Sequence, residues 1–219
     1  MCESNAIPFN PADGVKRPNQ GLNEGKSPAL GDEQAKALLD APAPETLKGL
    51  RDRAILSVLL FQGLRRAELC SLRVGDVESR RGVLHFRVLG KGDKIRYIPA
   101  HPHTMQRITE YLEKSGRGSP SANMLFVRID NASTVSEKPL TGNAIYKDVV
   151  QHYARKLGLE PRSVCVHGLR ATAATNALDH EADIAKVQDW LGHSSISTTR
   201  PYDRRKSKPE DSPRFKVTY

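Results

Sequence analysis

Apolar positions recur along most of this chain at helical spacing, and within the expected domain in only one place at the spacing of a strand. In "GDEQAKALLDAP", Asp32 precedes Ala35, Leu38 and Leu39 and Pro42 closes the run, which predicts a short helix with Asp32 as its N-cap. In "LKGLRDRAILSVLLFQG", Ile55, Leu56, Val58, Leu59 and Leu60 leave little polar face, the pattern of a more buried helix, and Gly63 is placed to end it. "HPHTMQRITEYLEKSG" and "TGNAIYKDVVQHYARKLGL" predict two more helices, the second capped by Thr141 and closed at Gly158. Further on, "DIAKVQDWLG" carries Ile184, Val187 and Leu191 as a buried stripe. Leu84, Phe86 and Val88 alternate in "GVLHFRVL", "KIRYIP" supplies a second β run, and "GKGDK" between them reads as a glycine-rich hairpin turn. The pattern predicts a mostly α domain with one small antiparallel β-sheet, an α+β fold.

The ends depart from this pattern. Residues 1–28 hold Pro8, Pro11, Pro18 and Pro28 among Gly and Asn with no periodicity, which predicts a flexible N-terminal arm or linker. The folded domain is expected over 29–203, followed by a C-terminal tail, 204–219. In that tail Phe215, Val217 and Tyr219 alternate with Lys216 and Thr218 as in a short strand. A chain of 219 residues can bury one adequate core without staples.

Charge changes the picture more than length does. Thirty-four Lys and Arg against 25 Asp and Glu give +9 and a pI near 9.6, a balance that favours polyanionic partners, nucleic acid first. Cys2, Cys70 and Cys165 are odd in number and far apart, which argues against a disulfide framework and a zinc site. No run of about 18 apolar residues exists, and the opening "MCESNAIPFNPADG" lacks the pattern of a signal peptide, so a cytoplasmic protein without a membrane partner is expected.

The stretch from 164 to 202 concentrates candidate chemistry. His167 and Arg170 lie three apart in "HGLR" at a helix start and can share one face, although such a pair is more often a solvated face or a local contact. His193 follows Gly192 at a helix end, where it can also serve the helix dipole. Arg65 and Glu68 have the spacing of an intrahelical ion pair, but a carboxylate behind an arginine can also fix the guanidinium while its outer edge takes a phosphate. Lys91, between Gly90 and Gly92 at the hairpin tip, reads either as reach towards a ligand or as edge protection. Tyr202 can act as a nucleophile only if its developing charge and its target are stabilised. Two arginines and a histidine around one phosphodiester would supply that stabilisation without a metal, and a lysine could protonate the leaving oxygen.

Taken in order, "GLRRAELCSLRVGDV", "GKGDKIRYIPA", "HGLRATAATNALDHEADIAKVQDWLGHSSISTT" and the tyrosine after them resemble the catalytic domain of the tyrosine recombinases, the family of phage integrases and Xer-type resolving enzymes. The resemblance covers residues from about 30 to 202. It implies that Arg65 is the first catalytic arginine with Glu68 as its buttress. It further implies that Lys91 is the general acid, that His167 and Arg170 form the HxxR pair, and that His193 is the second histidine. Tyr202 is then the nucleophile that forms a 3′-phosphotyrosine on double-stranded DNA, with no cofactor and no metal. Self-association on DNA, and a partner recombinase or accessory protein, follow from the same resemblance.

Two departures shape the expectation. The family usually carries an N-terminal helical domain, whereas only about 28 unpatterned residues precede the domain here, and "NPADGVKRP" resembles the linker that follows that domain; a truncated product is expected. Pro201 stands immediately before the nucleophile, so the helix is expected to break before Arg200 and leave Tyr202 on a mobile or displaced segment. These departures keep a rival open: a non-catalytic DNA-binding module that regulates or competes with a full-length recombinase. A nicking and closing activity of the type IB topoisomerase kind is a third reading.

Overall fold

The computed structural model describes residues 29–90, 94–119, 123–130, 134–160 and 164–204, with Gly14, 213–216 and Thr218. Helix α1 (Asp32–Asp40) begins one residue earlier than the sequence predicts: Gly31 is the N-cap, and its N–H donates to Gln34 Oε1 at 3.2 Å. Helix α2 (Leu47–Ser57) runs on into a π-helical stretch, Val58–Gln62, and Gly63 ends it in the left-handed region. Ala54, Ile55, Leu56, Val58 and Leu59 are all fully buried, as an all-round apolar helix requires. The amphipathic helix α4 (Pro102–Ser115) packs against it through Thr104, Ile108 and Tyr111, each three or four positions from the next.

Helix α3 (Arg66–Ser71) leads through a short turn into an antiparallel sheet of β1 (Val77–Arg80), β2 (Val83–Leu89) and β3 (Ile95–Pro99), with β2 in the centre. Phe86 pairs with Ile98, and together with Val88 these side chains face the core. A second antiparallel pair, β4 (Val127–Ile129) with β5 (Val135–Pro139), was not expected: the sequence predicts one sheet and the structure has two. The physical reason is length and polarity, since three residues, or "VSEKP", carry no usable alternation. Helix α5 (Gly142–Ala144), a π-helical stretch (Ile145–Val150) and α6 (Gln151–Lys156) form one rod capped by Thr141, whose Oγ1 accepts from Ala144 N at 3.1 Å.

Helix α7 (Val166–Asp179) is the central element, buried on nearly every side by small residues such as Ala171, Ala173 and Ala174. It touches both the end of α2 and α8 (Ile184–Leu191). Two hydrophobic clusters result: a large one built on α2, α4 and the sheet, and a small one of Ala171, Ala174, Leu178, Val187, Leu191 and Tyr202. At the tail, Pro213–Lys216 forms a 3-10 turn with Phe215 exposed, so these residues are not the strand that the alternation predicts, and Val217 and Tyr219 lie outside the described residues.

Candidate active site

Four elements converge where the two clusters meet. Glu68, in the first turn of α3, reaches back to accept from Arg65 N at 2.8 Å, so the carboxylate stabilises the helix start as well as the arginine. It also accepts from Arg65 Nη1 at 2.8 Å and from Arg96 Nη1 and Nη2 at 2.9 and 2.8 Å. Burial pushes this carboxyl up, but the hydrogen bonds from Arg96 and from the Arg65 backbone and side chain outweigh it and bring the pKa to about 2. Arg65 keeps an exposed side chain, and its Nη2 donates to Gly192 O at 3.0 Å.

Arg96 is the residue that sequence reasoning missed. It shares the inward face of β3 with Ile98, and a charged residue at that register was the available signal. Its guanidinium closes over Gly192, where an added Cβ would meet Arg96 Cδ and Nε at 3.3 Å. The left-handed φ of 64° at Gly192 and this close approach together explain the glycine.

Arg170 is buried in the second turn of α7 and bonds across the seam. Nη1 donates to Gly63 O, and Nη2 donates to Leu191 O and lies 3.1 Å from His193 Nε2. Burial first, and then the Arg65 charge, lowers this guanidinium to about 10. Gly63 matters here too, because a Cβ would meet Leu191 Cδ2 at 3.1 Å and hold α8 away. Trp190 Nε1 completes the join by donating to Gln62 O at 3.0 Å.

A guanidinium has only donors, so His193 Nε2 must be the acceptor and Nδ1 must carry the ring proton. That proton is donated to Thr199 Oγ1 at 2.9 Å. The assignment agrees with the electrostatics: burial, followed by the charges of Arg170 and Arg65, brings His193 to about 4, so the ring is neutral at pH 7. His167 is exposed and lines a cleft of about 430 Å³ with Leu64, Arg65, Tyr146, Cys165 and Arg170. Partial desolvation inside the cleft, and then the charges of Arg170 and Arg65, lower it as well.

Tyr202 lies in a second 3-10 turn, Arg200–Tyr202, separated at Thr199 from the turn Ile196–Thr198. The helix therefore breaks before Arg200, where the proline demands, and the new turn seats Tyr202 beside His193. Its side chain is buried in the small cluster, with its ring centroid 6.2 Å from that of His193. Pro201 occupies one of the first two positions of its turn, where no N–H donor is needed. Burial raises the Tyr202 phenol above its ordinary value, and the charges of Arg170 and Arg65 offset only part of that rise. The structure thus brings Arg65, Glu68, His167, Arg170, His193 and Tyr202 to one place. Lys91 lies outside the described residues, and only the hairpin base is placed, with Gly90 N donating to Lys94 O at 2.8 Å.

Comparison with known proteins gives this arrangement a lineage. The pattern of the Phage integrase family matches residues 29–208, and the chain belongs to that family, the tyrosine recombinases. It is 40% identical over 178 residues to the tyrosine recombinase XerD of Xanthomonas axonopodis pv. citri, covering 80% of this chain and 57% of that protein. It is 35% identical over 206 residues to XerC of Myxococcus xanthus, covering 92% of this chain and 65% of the relative. The chain therefore spans between about half and two thirds of the length of these relatives. Among solved structures, the XerA recombinase superposes with a TM-score of 0.65 at 26% identity, over 87% of this chain and 66% of that one. The XerH recombinase bound to its difH substrate, at 23% identity and a TM-score of 0.66, shares the fold over 88% of this chain and 54% of its own. Among the described residues, no helix is long and apolar enough to cross a membrane.

Proposed function

We propose that this chain is the catalytic domain of a site-specific DNA recombinase that cuts and rejoins double-stranded DNA through a phosphotyrosyl bond on Tyr202. One observation carries the reading: two arginines, two histidines and a tyrosine from α3, α7, the end of α8 and the turn after it meet beside one open cleft. Tyr202 Oη attacks the scissile phosphorus, the bond from phosphorus to the 5′-oxygen breaks, and Lys91 gives that oxygen its proton. Arg65 and Arg170 offset the charge that builds on the non-bridging oxygens. His167, neutral at pH 7, accepts the phenol proton. For His193 to donate to the phosphate as well, Nε2 must take up a proton when DNA enters, which the anion favours by offsetting the arginine charges. Attack of a second strand's 5′-hydroxyl reverses the sequence and completes the exchange.

The relatives support double-stranded DNA as substrate, since the XerH structure holds a DNA site, and a lambda integrase dimer of the same fold is bound to a core site. Self-association on DNA, together with a partner recombinase or accessory protein, belongs to the same proposal. The test is a nicked suicide substrate whose short leaving strand diffuses away, with the trapped peptide identified by mass spectrometry. The adduct is expected on Tyr202 and absent from Tyr202→Phe. DNA binding with no adduct would favour the rival, a DNA-binding module that competes with a full-length recombinase.

A further inference from the structure

Thr199 joins the two halves of the site. It is fully buried, and each of its polar groups has a partner of consequence. Its N–H donates to Ile196 O at 2.9 Å and ends the first 3-10 turn, while its carbonyl accepts from Tyr202 N at 3.0 Å and begins the second. Its hydroxyl lies 2.9 Å from His193 Nδ1. The backbone of one residue thus sets the turn that delivers the tyrosine, and its side chain holds the histidine ring.

The polarity of that hold is dictated from the other side of the ring. Arg170 Nη2 can only donate, so the Nδ1–H tautomer is the one compatible with the 3.1 Å contact at Nε2, and Thr199 Oγ1 is its acceptor. Without the hydroxyl, a partly buried N–H would lose its partner, and the ring would shift towards the Nε2–H form, which points a donor at the Arg170 donor. Valine has nearly the same shape as threonine but no acceptor, so it isolates this effect.

We propose that Thr199 is a positioning residue for the cleavage reaction: its hydroxyl fixes His193 in the Nδ1–H tautomer, and its carbonyl ties that ring to the turn carrying Tyr202. The proposal rests on the recombinase reading above. Thr199 touches neither DNA nor the reacting atoms in this scheme and acts through its two neighbours.

The experiment has two arms. In ¹⁵N-histidine-labelled protein at pH 7, two-bond ¹H–¹⁵N correlations are expected to show His193 protonated at Nδ1, with the signal assigned by its loss in His193→Gln. Thr199→Val should move that signal towards a tautomer mixture and Thr199→Ser should restore it. On saturating suicide substrate, Thr199→Val should slow single-turnover cleavage by about tenfold to a hundredfold, the range set by misaligned reacting groups, with affinity within about threefold and Thr199→Ser close to wild type. An Nε2–H signal in the wild type overturns the proposal without any variant. Unchanged tautomer or unchanged rate in Thr199→Val overturns it as well. A wild type that shows the tautomer but forms no adduct overturns the recombinase reading instead, and the positioning role with it.

Discussion

At the scale of single residues, the two arginines differ in what they hold. Arg170 is buried and donates to two backbone carbonyls that have left water, so Arg170→Ala orphans them at about 1–3 kcal/mol each. Arg65 is exposed, and Glu68 keeps the bidentate bond from Arg96 when Arg65 is lost. Arg65→Ala is therefore expected to lower cleavage by at least about 10² with a small change in melting temperature, whereas Arg170→Ala lowers both. Lys91→Ala should slow cleavage by about 10² to 10⁴, as loss of a general acid does, and a 5′-phosphorothiolate substrate, whose leaving group needs no proton, should restore it. That substrate should rescue neither arginine variant, and thermal melts beside single-turnover rates check all three. The main candidates came from the order of the motifs and the family it resembles, since spacing alone fits a solvated face or a local ion pair equally well. Arg96 and Thr199 were not, because their meaning depends on what packs against them: one charge on the inward face of a strand, and one hydroxyl beside a histidine.

At the scale of elements, Pro201 shows where a local rule stops. A proline inside a regular helix costs about 3 kcal/mol because it lacks a donor and crowds the preceding turn. That figure predicts a break before Arg200. The chain does break at Thr199 and starts a new turn in which Pro201 needs no donor, while Tyr202 N still bonds to Thr199 O at 3.0 Å. Pro201→Ala is accordingly expected to change single-turnover cleavage by less than about threefold, and a tenfold gain would show that the turn is strained. The helices α2, α4 and α8 were legible from periodicity and from the glycines that end them, Gly63, Gly116 and Gly192. The β4–β5 pair was not, since pairing with each other, rather than alternation within either strand, makes them strands.

At the scale of the whole molecule, the site is the seam between a large and a small hydrophobic cluster, and ionic groups close it. Glu68 accepts four N–H donors from Arg65 and Arg96, which ties α3 to β3, and Arg65 and Arg170 then tie both to the end of α8. The stability of this join depends on pH with a definite sign. The folded pKa of Glu68 is about 2 against an ordinary value of 4.5, so its contribution is complete above 4.5 and is lost as pH falls through that value towards 2. A depression of this size corresponds to on the order of 3 kcal/mol, at about 1.4 kcal/mol per unit. His193 acts in a higher window. Its folded pKa of about 4 lies below the ordinary 6.5, so the unfolded chain binds the extra proton and stability already falls from pH 6.5 towards 4. Glu68→Gln keeps one acceptor and removes the charge. In urea unfolding at successive pH values, its stability deficit against wild type should be largest above pH 4.5 and shrink towards zero near pH 2. A deficit that stayed constant across that range would mean that Glu68 contributes by shape alone, and that the arginines reach the phosphate without the charge behind them.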